Sequence, residues 1–134
     1  MHRTAVPAGI ALLVLSAFAP PASRSADAKP VLSHDVFFSL NDASPDAKQK
    51  LIAACKKYLT GHEGAVSFSV GSLASELSQP VNDKEFDVAL HVVFQDKAAH
   101  DRYQDHPRHK QFIDENSANW KKVRVFDSWV ETGR

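Results

Sequence analysis

The sequence predicts an α+β domain in which helices cover one face of a four-stranded antiparallel sheet. Four segments alternate apolar with polar or small residues at the two-residue period of a strand, and helical patterns separate them in the order β-α-β-β-α-(α)-β. The 134-residue chain has 16 basic and 16 acidic side chains and 43% hydrophobic residues, which is typical of one globular domain. This balanced charge gives no indication of nucleic-acid binding.

Residues 1–28 are predicted to be an export signal. The chain starts with a positive charge, and residues 8–19 form an apolar stretch that is too short for a stable membrane anchor. Ala26 and Ala28 match the preference for small side chains before a cleavage site, so we expect cleavage after Ala28. The alternative, a buried helix of the domain, is disfavoured because the stretch has no polar face. The mature domain, 29–134, is therefore expected to be secreted or periplasmic, without stable membrane insertion.

The first half of this domain is predicted to start with a strand and a helix. Residues 31–40 alternate strictly, and one of their two faces is apolar apart from His34. Ser44 is a typical N-cap, and Pro45 fits the first helical position that follows it. The single cysteine, Cys55, lies on the apolar stripe of this helix. It has no disulfide partner within the chain, so we expect a buried and unreactive thiol.

Three further strands and two short helices are predicted in the rest of the domain. The strands are expected at 64–71, 86–94 and 122–130. Asp96 can cap a helix that runs to about Asp105. Pro107 cannot continue that helix but can open another, which we expect over 108–119 at an angle to the first.

This order of elements is the ferredoxin-like split βαβ arrangement. Strand alternation then places apolar side chains on both faces of the sheet, of which the helices cover one. The uncovered face is expected to carry Val31, Phe37, Ala89, His91, Val93 and Phe126. Such a face should not remain in water, so the sequence predicts a homodimer whose two sheets form a shared α/β barrel.

The candidate catalytic residues are Tyr103, His109 and Asp127. Because Pro107 turns the chain between them, the tyrosine and the histidine can face one space. Asp127 on the last strand can then orient the His109 imidazole as a general base, while Tyr103 donates a hydrogen bond to a substrate oxygen. A His-Asp pair can equally serve to satisfy buried polar groups, and that structural interpretation stays open. The expected substrate pocket is completed by His34, Phe38, Phe112 and Trp120.

Three histidines lie close together in the sequence, at His100, His106 and His109. His106 and His109 can share one face at the start of a helix, as metal ligands do. No HExxH motif or second ligand pair accompanies them, so solvated surface histidines are the preferred interpretation. We therefore predict neither a metal site nor a cofactor.

Several of these segments together resemble the stress-responsive dimeric α/β-barrel (Dabb) family. The most specific one is Tyr103-x-x-His106-Pro107-x-His109-x-x-Phe112. The other matching segments are residues 33–36, 64–71, 87–94 and 125–127. The resemblance covers residues 31–131 and implies the fold and the dimer expected above. Most of the family has no defined function, and some plant members are heat-stable, stress-induced proteins that assemble further.

The resemblance also implies two kinds of function. One family member, olivetolic acid cyclase, performs a cofactor-free aldol condensation with a tyrosine and a histidine, whose places resemble Tyr103 and His109. Asp127 and His34 match its orienting aspartate and a pocket histidine, whereas Val88 and Cys55 replace a pocket histidine and a helix tyrosine. The chain is thus expected to be an exported stress-response module that binds a small molecule. The alternatives are a cofactor-free enzyme acting on a carbonyl compound and, from shared fold alone, a monooxygenase.

Overall fold

The computed structural model describes residues 29–133, so the predicted export signal lies outside the described residues. The elements in chain order are β1 (Val31–Leu40), α1 (Pro45–Tyr58), β2 (Ala65–Ser72), β3 (Val88–Phe94), α2 (Lys97–Asp105), α3 (Pro107–Asn116), a 3-10 turn (Ser117–Asn119) and β4 (Trp120–Val130). All neighbouring strands are antiparallel, in the order β2-β3-β1-β4. This topology confirms the predicted ferredoxin-like α+β fold.

Each of the first two helices starts at the polar side chain that the sequence indicates. Ser44 Oγ accepts a hydrogen bond from the Ala47 backbone N–H at 3.3 Å, and Pro45 occupies the first turn, where no donor is needed. Asp96 Oδ1 accepts from the Ala99 N–H at 2.8 Å and caps α2. These caps fix where α1 and α2 begin relative to the sheet.

The chain turns sharply between α2 and α3 at His106 and Pro107. The proline has no N–H to continue the α2 ladder, and His106 has extended backbone geometry. His106 Nδ1 accepts from the Arg108 N–H at 3.1 Å, so this histidine is the N-cap of α3. The predicted helix over 108–119 is therefore shorter, because its last three residues form the 3-10 turn.

The core lies between the helices and the inner face of the sheet. Strands β1 and β3 are central and supply alternate buried residues, which pack against α1, α2 and α3. The helices do not reach over β4, whose inner-face residues Val123, Val125 and Trp129 are 38, 48 and 58% exposed. The sheet is thus left open along one edge, beside the helices α2 and α3.

The outer face carries the side chains that alternation predicted. Phe37 contacts both Phe86 and Phe126, with ring centroids 4.9 and 5.7 Å apart. Beside these aromatic rings, Asp35 accepts hydrogen bonds from His91 at 2.6 Å and from Ser33 at 3.0 Å. No helix of the described chain is long and apolar enough to cross a membrane.

Candidate functional site

A cavity of about 130 Å³ lies between the inner face of the sheet and the helices α2 and α3. Its walls are formed by His34, Val36, Phe38, Leu59, Leu90, Tyr103, Gln104, His109, Phe112, Ile113, Trp120, Val123 and Val125. Six of the seven residues predicted for the site therefore meet at one place. The exception is Asp127. A dry apolar cavity of similar size, about 150 Å³, holds benzene in an engineered protein, so this one suits a single small ring.

Asp127 is the partner of His34. Asp127 Oδ1 lies 2.6 Å from His34 Nδ1, because the register of β1 with β4 places these two residues directly opposite each other. The prediction that Asp127 orients His109 is therefore wrong. The carboxylate instead fixes the ring of the 4% exposed His34.

His109 is half-buried and has a strongly lowered pKa. Its Nδ1 is buried and has no hydrogen-bond partner among residues 29–133. Burial, reinforced by the positive fields of His34, His62 and His100, lowers the pKa of His109 to about 4. Its imidazole is consequently neutral at pH 7, the form that a general base requires.

Tyr103 packs its ring at the centre of a group of histidines. Its ring centroid lies 4.7 Å from that of His109, 4.9 Å from that of His62 and 5.9 Å from that of His34. The residue is 1% exposed, and this burial raises its pKa well above the usual range. The hydroxyl therefore stays protonated, as a hydrogen-bond donor requires.

The aromatic wall of the cavity consists of Phe38, Phe112 and Trp120. The Trp120 ring centroid lies 5.0 Å from that of Phe38 and 5.5 Å from that of Phe112. Trp120 Nε1 is buried and, like His109 Nδ1, has no hydrogen-bond partner in the described chain. These aromatic rings line the cavity without filling it, and two of its lining residues, Trp120 and His109, each carry a buried polar atom without a partner in the described chain.

Two histidines outside the predicted site belong to its surroundings. His62 is 7% exposed, and its Nε2 lies 2.8 Å from the Tyr58 backbone oxygen. The ring centroid of His100 is 5.0 Å from that of His34. His34, His100 and Asp127 offer ligand atoms that all lie within 4.8 Å of one another. This set crosses from the sheet to α2, so spacing along the chain gave no signal for it.

The positions where this chain differs from the cyclase lie in the packed core. Val88 and Cys55 are fully buried, and neither lines the cavity in the described structure. Burial raises the pKa of the Cys55 thiol to about 12, so it stays protonated, as expected of a buried and unreactive cysteine. Neither residue can therefore act on a molecule in the cavity.

Comparison with solved structures finds the same architecture. A Dabb family protein of Mesorhizobium loti with a ferredoxin-like fold is 26% identical, with a TM-score of 0.63 over 78% of this chain and 100% of that chain. A dimeric ferredoxin-like protein of unknown function from Thermobifida fusca is 18% identical, with a TM-score of 0.62 over 75% of this chain and 92% of that one. Hydroxynitrile lyase from Passiflora edulis is 18% identical, with a TM-score of 0.62 over 78% and 97%.

No curated protein matches the chain. The family model of the stress responsive A/B barrel domain, Dabb, matches residues 32–130. This range includes nearly all of the sheet, the three helices and every residue of the candidate site. The chain therefore belongs to the stress-responsive A/B barrel (Dabb) family.

Proposed function

We propose that this chain is a dimeric module that binds a one-ring phenolic or keto acid in the cavity between sheet and helices. The observation that carries the proposal is that two residues lining that cavity, His109 and Trp120, each have a buried ring nitrogen without a partner in the described chain, Nδ1 and Nε1. A buried polar atom without a partner costs about 1–3 kcal/mol. A ligand oxygen that accepts from Trp120 or pairs with His109 recovers this free energy.

The size and polarity of the cavity support this class of ligand. About 130 Å³ suits one ring, which would lie against the aromatic residues Phe38 and Phe112. The protonated hydroxyl of Tyr103 adds a donor for a carbonyl or phenolic oxygen. A carboxylate can remain hydrated at the open side, beside the half-exposed Val125.

The uncovered apolar face of the sheet supports dimerisation. The outer face presents Phe37, Val93 and Phe126, and the Thermobifida fusca protein of this fold is described as dimeric. We propose that two copies of this chain pair through that face. The cavity lies on the opposite side of the sheet, so each protomer keeps its own complete site.

The binding proposal is tested by following the two indole N–H resonances of 15N-labelled protein during titration with 4-hydroxybenzoate and phenylpyruvate. We expect a saturable shift of the Trp120 resonance and little change for Trp129, which is 58% exposed on the same strand. The variant W129F assigns the two peaks and serves as the matched control. Replacing Trp120 with Phe removes the donor and should weaken binding about tenfold, as loss of one buried hydrogen bond implies. Absence of any Trp120 shift at about 1 mM of either acid would refute the proposal.

A second candidate is cofactor-free catalysis on a carbonyl compound, favoured by the neutral His109 beside the protonated Tyr103. In this mechanism His109 takes a proton from the carbon next to the carbonyl, and Tyr103 donates a hydrogen bond to the oxygen that gains charge. Asp127 acts only indirectly, through His34. Both H109A and Y103F should then abolish proton exchange into phenylpyruvate while shifting the melting temperature by only a few degrees. Binding without exchange in the unmodified protein would favour the binding module.

We further propose that the domain acts outside the cytoplasm, after removal of residues 1–28. The apolar stretch at 8–19 and the small residues Ala26 and Ala28 support this proposal. The mass of the protein recovered from the periplasm or medium of an expressing bacterium tests it. An intact N-terminus on cytoplasmic protein would contradict it.

A further inference from the structure

A group of three metal-ligating side chains lies at the edge of the cavity. It does not include His106 or His109, the pair considered from the sequence as possible ligands. His34, His100 and Asp127 offer one ligand atom each, all within 4.8 Å of one another. Ligands bonded at about 2.0–2.2 Å to a zinc-sized ion lie about 3–4 Å apart. Small side-chain movements therefore suffice for an ion to bind: the longest separation contracts, and the 2.6 Å hydrogen bond between His34 and Asp127 opens as both side chains turn to the ion.

The three ligands are held by different elements, and two of them are fixed by the sheet. His34 and Asp127 are directly paired residues of β1 and β4, and His34 Nδ1 lies 2.6 Å from Asp127 Oδ1, so the two side chains are held next to each other. His100 comes from α2, whose start is fixed by the Asp96 cap. Ligands on a rigid framework require little reorganisation when an ion binds.

His100 also has a carboxylate partner for the ring nitrogen that does not bind a metal. Its Nδ1 lies 3.2 Å from Asp101 Oδ1, which leaves Nε2 for the ion in exchange for a weak 3.4 Å contact with the Gln104 amide nitrogen. Metal-binding histidines usually pair the second nitrogen with a carboxylate, a carbonyl or water, which fixes the orientation of the ring. Asp101 provides such a carboxylate.

We propose that His34, His100 and Asp127 bind one divalent transition-metal ion per chain. Two imidazoles and one carboxylate suit Zn²⁺, Fe²⁺ or Co²⁺, whereas Mg²⁺ and Ca²⁺ prefer oxygen ligands only. Three protein ligands leave at least one coordination position for water or a ligand oxygen. Because His34 also lines the cavity, that position adjoins the space proposed for the small molecule. The metal site does not depend on the proposed function.

The outer face of the sheet provides a built-in comparison. His91 Nδ1 and Asp35 Oδ1 are also 2.6 Å apart, again on paired strands. No third ligand joins them in the part of the chain that the structure describes. This pair has the same histidine–carboxylate contact but lacks a third ligand. It therefore serves as a control that shows whether a His-Asp pair alone binds the ion.

The test is titration of tag-free, chelator-treated protein with Co²⁺, followed by visible absorption, and with Zn²⁺ in a calorimeter. We expect one equivalent per chain and a d–d absorption band from cobalt. The variants H100A and D127N should weaken binding at least tenfold, whereas H91A should bind like the unmodified protein. His100 and Asp127 have side chains 17 and 47% exposed, so both variants are expected to fold, and circular dichroism checks this.

The outcomes separate cleanly. The site is supported if the unmodified protein binds one equivalent of metal per chain and both H100A and D127N bind it at least tenfold more weakly. The proposal is overturned by absence of binding in the unmodified protein, or by binding that survives both substitutions. Binding that is lost in H91A alone also overturns it, because the ion would then occupy the outer face.

Discussion

At the scale of single residues, His109 makes stability depend on pH. The folded chain holds its pKa at about 4, whereas an unfolded histidine titrates at about 6.5. Between these values the unfolded state binds a proton that the folded state does not, so stability is lost as pH falls through this window. The contribution is fully present above about pH 6.5.

We expect the free energy of unfolding in metal-free buffer to fall by roughly 1–2 kcal/mol between pH 7 and pH 5 through His109, discounted for its partial exposure. Urea unfolding at the two pH values measures it. The variant H109L should reduce this dependence, with His62, whose pKa burial also lowers, supplying the remainder. The control H106N keeps an N-cap on α3 and should retain most of the dependence. An unchanged slope in H109L would show that His109 is not held neutral.

Six of the seven residues predicted for the site line one cavity, but the pairing of Asp127 with His34 was not predicted. Tyr103 and His109 are brought together by the proline that separates α2 from α3, which is a local signal. Asp127 joins His34 because β4 lies beside β1, and alternation alone does not give that register. The approach of His100 to His34 likewise depends on tertiary structure, because it results from the packing of α2 on the sheet.

At the scale of elements, one close approach fixes how α2 sits on the end of β2. Gly64 has φ of 81°, and a Cβ added there would lie 2.5 Å from the Ala99 Cβ, inside the core. Gly61 has a similar φ of 70°, but nothing lies within 4 Å of its added Cβ. An alanine at Gly61 would therefore introduce backbone strain alone, whereas an alanine at Gly64 would introduce backbone strain and a steric overlap.

We expect G61A to lower the free energy of unfolding by about 1–2 kcal/mol, the cost of left-handed geometry in a residue with a side chain. G64A should lower the free energy of unfolding by this amount and by roughly 1–3 kcal/mol more, because the new Cβ overlaps with α2. Chemical denaturation of the two variants gives the difference directly. If G61A and G64A lose the same free energy of unfolding, α2 moves away from residue 64 without an energetic penalty.

The element boundaries show where local signals end. The capping residues of α1 and α2 were predicted from their side chains, and β1 was predicted at its observed limits, whereas the cap of α3, His106, was not predicted. Strand β4 begins at Trp120, two residues early, because a register shift near Leu40 lets this tryptophan pair with β1. Such a bulge depends on the partner strand, so the sequence of β4 alone does not indicate it.

At the scale of the whole molecule, the sheet has two unequal faces. The inner face is covered by helices except along β4, and it holds the cavity and the proposed metal ligands. The outer face has no covering element in the described chain, yet it carries a cluster of aromatic rings around Phe37. A dimer formed through the outer face buries these rings and leaves the inner site accessible.

Strand β4 offers a matched test of this arrangement. Phe126 on the outer face is 53% exposed, and Trp129 on the inner face is 58% exposed, so both are large apolar side chains on one strand with similar accessibility. We expect F126E to produce a monomer at micromolar concentration in sedimentation equilibrium, because it would bury an unpaired charge in the interface. W129E should remain dimeric. If both variants dissociate, the interface includes the open edge of β4, and each cavity would then lie next to the partner subunit. If neither dissociates, the aromatic face is not the interface.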